Sequence, residues 1–230
     1  MFSSDSSASR PLQIAASIEA QVYLLFALAM GLTGLGVLAG MQMASVLLST
    51  GMHIVFLMME LGIIFTSRLW MRLTPLNYLL FGLFPLFSGI TVTPYLMYVL
   101  AGYANGGVIL SNALASTLFM GLAAAVFART TTWNLSVMGR ALFFALLGLV
   151  FLGVLQIFIP AMRSTQMELI LSGVGVVVFA LFTAHDLQRI QAMGRMGASP
   201  FLLALSLYLD IFNLFLSIVR FMLAMSGNRR

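Results

Sequence analysis

Residues 20–59 and 73–128 carry no formal charge, and each run exceeds the ~20 residues a helix needs to cross a bilayer's ~30 Å hydrocarbon core. A chain that places such runs in lipid must satisfy every backbone N–H and C=O internally, which leaves helices or closed barrels. A barrel demands alternating segments of about ten residues; here the apolar runs are long and continuous. Composition removes the soluble alternative, because at 61% hydrophobic and 7% charged residues the chain lacks the polar surface of a water-soluble globule. The reading is an all-α integral membrane protein.

Breaks in the runs set the number of helices. The stretch AGMQMASVLLSTG divides the first run into spans near 21–39 and 46–67, and GYANGG divides the second into 76–101 and 108–128. Further spans follow at 141–159, ending at Pro160, at 169–193 and at 201–224. The expectation is a seven-transmembrane-helix bundle over residues 21–225, with a polar leader at 1–20 and a basic tail at 226–230. The first span reads as a mature helix and not as a cleaved signal. Arginine supplies every basic residue. Arg10, Arg68, Arg72, Arg129, Arg140, Arg189 and Arg195 fall on the N-terminal side of the bundle, against Arg163 with Glu168 on the other. That asymmetry predicts a cytoplasmic N-terminus. Arg229 and Arg230 conflict with it unless the seventh segment fails to cross. The net charge of +5 is juxtamembrane arginine facing lipid headgroups and calls for no nucleic-acid partner.

Two aspartates stand inside otherwise apolar spans, in FALFTAHDLQRI and LALSLYLDIFNLFLSIV. Charge at that depth costs roughly 2.5–3.5 kcal/mol on insertion scales, so Asp186 and Asp210 are candidate functional residues. Their midpoint, 198, falls in the turn MGASP, and residues equidistant from the turn of an antiparallel hairpin lie at similar height. The two carboxylates are therefore expected to face each other. Like-charge repulsion and desolvation oppose double ionisation, so such a dyad titrates as one unit, holding a shared proton in acid and offering anionic oxygens at higher pH. Hard cations such as Ca²⁺ seek oxygen ligands and would compete with the proton. The simpler reading of Asp186 is a helix-end charge paired with Arg189, three residues on. Glu60 and Arg220 are further buried polar residues. Asn213, one turn beyond Asp210, can share its face and orient it. His185 adjoins Asp186 and is set about 100° away on the helix, which argues against a direct pair. His53 reads as a packing histidine.

No cysteine, GxxxxGK, GxGxxG or HExxH sequence is present, so disulfide, nucleotide and zincin chemistry have no support. GVVVFALFTAHDLQRIQAMG and ALSLYLDIFNLFLSIVR resemble the sixth- and seventh-helix signatures of the Bax inhibitor-1 family, and TTTWNLSVMGRALFFALLGLV, LFSGITVTPYLMYV and the ending GNRR look like its bacterial branch. His185 and Leu187 depart from the usual tyrosine and threonine. The resemblance implies a seven-helix fold with the seventh helix central, sited in a bacterial inner membrane. It also implies a pH-sensitive calcium leak gated by an aspartate dyad and latched by an arginine of helix two. Carried onto this chain, the dyad and calcium-binding pair are Asp186 and Asp210, the helix-two acid is Glu60 and the late arginine is Arg220. The latch falls on Arg68 or Arg72. Arg68 precedes the interfacial marker Trp70, which places it deeper and favours it over Arg72.

The expected function is thus a proton-gated cation pathway with Ca²⁺ as the permeant ion, no enzymatic activity and no cofactor. The alternative is a non-conducting membrane regulator of proteases or stress-response partners. An intramembrane aspartyl protease is a weaker reading, because such enzymes carry GxGD where this chain has Leu207-Tyr208-Leu209-Asp210.

Overall fold

A computed structural model describes residues 17–194 and 199–227. The leader with Arg10, the turn residues 195–198 with Arg195, and the tail residues Arg229 and Arg230 lie outside the described residues. The described chain is helical, without strands. Its helices are α1 (Ile18–Gln42), α2 (Ala44–Thr50), α3 (Met52–Phe65), α4 (Ser67–Trp70), α5 (Leu76–Gly102), α6 (Gly106–Thr130), α7 (Gly139–Phe158), α8 (Thr165–Gly194) and α9 (Pro200–Ser226). Six of them, α1 and α5 to α9, are long and apolar enough to cross a membrane, and a seventh span arises only if α2 and α3 count together.

The expected continuous helix at 46–67 is not what forms. It breaks at Gly51, and α2 and α3 meet at 88°. Gly51 takes a left-handed conformation, φ +67°, which costs glycine little and other residues much more. Thr50 assists: its hydroxyl donates to the Val46 carbonyl at 2.7 Å and accepts the Met52 N–H at 3.2 Å, ending α2 and starting α3. With 14 residues, α3 reaches about 21 Å, short of a bilayer core on its own.

Small residues let α1 and α5 approach closely. A side chain at Gly89 would overlap the Thr33 carbonyl oxygen and crowd Gly36, and one at Gly40 would overlap the Thr93 hydroxyl. Backbone contact of this kind is how membrane helices gain dispersion energy where no hydrophobic force drives them together.

Helix α9 packs against α1, α5, α6 and α8, and it is the most buried of the candidate spans. Tyr208 on α9 is fully buried, edge-on to Phe84 and stacked on Phe212 with centroids 5.9 and 5.6 Å away. By contrast α7 exposes Phe143, Phe144, Val150, Phe151 and Phe158, as a helix facing lipid should. Helices α8 and α9 form an antiparallel pair: Glu168 meets Arg220 at one end, Gly175 sits against Ser217 midway, and Asp186 meets Ser206 at the other.

Candidate buried carboxylate site between the last two helices

At the closed end of the α8–α9 pair lie Asp186 and Asp210, 4% and 7% exposed. Their surroundings differ sharply. Asp186 Oδ2 accepts a short hydrogen bond from the Ser206 hydroxyl. Its Oδ1 lies 2.9 Å from His185 Nδ1 and 3.9 Å from Arg189 Nη1. Asp210 Oδ2, in contrast, is buried with no hydrogen-bond partner among the described residues. Among the described residues no cation stands within ion-pair distance of Asp210; Arg189 pairs with Asp186 instead.

The register differs by one turn from that given by the sequence midpoint. Asp186 bonds directly to Ser206, and Asp210 follows Ser206 by four residues, so it lies on the same face about 6 Å further along α9. The midpoint rule assumes a symmetric turn, whereas the contacts along the pair centre nearer 196.

The segment before α7 closes over this end. Gln188 accepts the Leu135 N–H at 2.7 Å and donates to the Trp133 carbonyl at 2.9 Å. Leu135 is buried, and a side chain at Gly139 would press on the His185 ring. Sequence reasoning missed both Ser206 and Gln188. The signal for Ser206 was available, a hydroxyl four residues before an intramembrane aspartate; the signal for Gln188 was not, because its partners are backbone atoms more than 50 residues away.

Several expected site residues take other positions. Contrary to the helical-angle argument, His185 does contact Asp186: adjacent side chains diverge at Cβ, yet the imidazole is long enough to swing back. Asn213 donates to the Leu209 carbonyl at 2.7 Å, satisfying its own helix and making no bond to Asp210. Arg68 and Arg72 are exposed, and among the described residues neither pairs with an aspartate; Arg189 is the cation that does. Both lie at the end of the α3–α4 segment, Arg68 within the four-residue α4 and Arg72 just beyond it.

Glu60 and Arg220 belong to separate places. Glu60, buried on α3, accepts hydrogen bonds from Ser88 at 2.7 Å and Thr91 at 2.6 Å, both on α5. Nearby, the Tyr208 hydroxyl meets Thr33 at 2.8 Å. Tyr208 and Asp210 are two residues apart on α9, hence about 200° around it, so these two polar clusters occupy opposite faces of one helix. Arg220 donates to Glu168 at 2.6 Å, at the far end of the α8–α9 pair. Among the described residues no group of three or more His, Asp or Glu could hold a metal ion. Two carboxylates and one hydroxyl fall short of the six to eight oxygens Ca²⁺ takes.

Fold and site together define a helical integral membrane protein with an acidic pair buried between its last two spans. The chain belongs to the Bax inhibitor-1 family: the family described as "Inhibitor of apoptosis-promoting Bax1" matches residues 16–228. An uncharacterized protein of Campylobacter jejuni is 36% identical over 160 residues, covering 70% of this chain and 67% of the relative. The inner membrane protein YbhL of Escherichia coli K12 is 31% identical over 162 residues, 66% of this chain and 63% of the relative. Protein lifeguard 4 of Mus musculus is 31% identical over 180 residues, covering 77% and 71%. Of the E. coli relative, the chain thus spans less than two thirds of the length.

Proposed function

We propose that this protein is a pH-sensitive cation pathway with Ca²⁺ as the permeant ion, gated where Asp186 faces the α9 segment carrying Ser206 and Asp210. One observation carries the reading: a buried, unpartnered carboxylate oxygen on Asp210 beside an Asp186 whose oxygens are engaged. A desolvated carboxylate oxygen without a donor is costly. A proton or a cation relieves that cost, and the two compete for the same oxygen.

Arg189 supplies the closing charge in this scheme. Its guanidinium sits 3.9 Å from Asp186, and its single positive charge balances the two carboxylates when they share one proton. It is 35% exposed, which leaves it room to swing toward water when a cation takes its place. The arginines Arg68, Arg72, Arg129 and Arg140 favour placing this end in the cytoplasm of a bacterial inner membrane.

The discriminating experiment is calcium flux in liposomes made from purified protein. Flux that depends on pH and on both aspartates supports the pathway. Its absence in well-folded protein would favour the non-conducting regulator of membrane partners.

A further inference from the structure

At the opposite end of the bundle from the aspartates, the ends of α5, α7, α8 and α9 line an open cavity of about 600 Å³. Among the described residues its charged walls are Arg163, Arg220 and Glu168, two positive groups to one negative. Both arginines are held in place. Arg163 donates through Nε to the Gln156 carbonyl at 2.6 Å and through Nη2 to the Ile157 carbonyl at 2.7 Å, capping the end of α7. Arg220 donates through Nε to Glu168. A guanidinium carries five N–H donors, so each arginine keeps donors beyond the bonds named here. Tyr95, on the cavity wall, has a buried hydroxyl with no partner among the described residues.

We propose that this cavity binds a phosphate-bearing anion. The net positive wall rejects a free metal cation, and Glu168 is already committed to Arg220. Pre-oriented guanidinium forks are matched to phosphate oxygens, which accept two N–H groups side by side. The Tyr95 hydroxyl supplies a third donor. Tyr98, beside Tyr103 at 6.1 Å, adds an aromatic wall for the apolar part of the ligand. Since the cavity is built from the ends of membrane-spanning helices, a phospholipid headgroup can reach it from the bilayer interface and a free phosphate from the water. The inference is independent of ion conduction, because it concerns the other end of the molecule.

Native mass spectrometry of the delipidated protein in detergent tests it, with phosphatidylglycerol, phosphatidylcholine and inorganic phosphate offered separately. Tyr95→Phe removes only the hydroxyl, and Arg163→Gln removes a charge outside the α8–α9 pair; circular dichroism verifies that both variants stay folded. Preferential retention of phosphatidylglycerol, falling about tenfold in each variant, identifies the lipid headgroup, since a charge-assisted hydrogen bond is worth about that factor. Saturable binding of inorganic phosphate with the same losses identifies a soluble ligand. Retention of none of the three, equal retention of both lipids, or binding that neither variant weakens overturns the proposal.

Discussion

Ser206 on α9 donates its hydroxyl to Asp186 on α8 and stands one helical turn before Asp210. The hydrogen bond thus makes Ser206 the bridge between the two carboxylates, fixing one and presenting the other. Ser206→Ala deletes this donor and returns Asp186 Oδ2 to the state of Asp210 Oδ2, a buried oxygen with no partner. The two acids then become more alike. The expected result is calcium flux whose pH midpoint moves while its pH dependence persists, at a stability loss of about 1–3 kcal/mol from the stranded acceptor. A variant with wild-type midpoint and wild-type stability would show that the hydroxyl does nothing at the site.

Arg189 is expected to be the closing residue. Arg189→Gln should raise calcium flux at neutral pH several-fold, while Arg68→Gln and Arg72→Gln leave it near the wild-type level, because both of those side chains are exposed and away from the aspartates. Flux through each variant at pH 7 checks the assignment. A rise in Arg68→Gln or Arg72→Gln with no change in Arg189→Gln would return the latch to the segment after α3.

Gln188 ties down the segment over the dyad through two hydrogen bonds to backbone atoms, beside the packing of buried Leu135. Gln188→Ala should loosen it. In this cysteine-free background, a cysteine at Leu135, a buried position of the segment, should react faster with a water-soluble maleimide once Gln188 is replaced, by roughly the factor of five to ten that one or two lost hydrogen bonds imply. The same probe reports sidedness. Labelling from the outside of intact cells would reverse the proposed orientation.

Contact between α1 and α5 should tolerate no side chain at Gly89. Gly89→Ala forces overlap with the Thr33 carbonyl, and overpacking of this kind costs about 1–3 kcal/mol. Gly31→Ala, in the same helix pair but with nothing within 4 Å, is the control and should be neutral or slightly stabilising. Thermal unfolding in detergent separates them. Equal melting temperatures would mean that the two helices can move apart without loss.

Much of this architecture was legible in the chain because membrane insertion leaves so few solutions. The uncharged runs mark the long helices, and two aspartates in apolar surroundings mark the site. What the sequence could not convey is how short elements bend and how side chains reach. The break at Gly51 looked like the end of one loop because a left-handed glycine and an ordinary one are spelled alike. His185 was set aside on a Cβ angle, although the ring atoms decide the contact. Depth pointed to the arginines next to Trp70, whereas among the described residues the cation beside Asp186 is Arg189, one turn along the same helix. Depth can be read from a sequence; the direction in which a long guanidinium turns cannot.

The account stands or falls on the coupled behaviour of the two aspartates. The direct measurement is the pH dependence of calcium flux into proteoliposomes, followed from about pH 6 to pH 8. Wild type, Asp186→Asn, Asp210→Asn and the double variant are compared. Wild-type flux should change with pH. Each single variant should be nearly flat, and the double variant should differ little from either single one, because either change abolishes the same coupled titration. Single variants that keep the wild-type pH dependence, or effects that simply add, would contradict the account and remove the dyad as the gate.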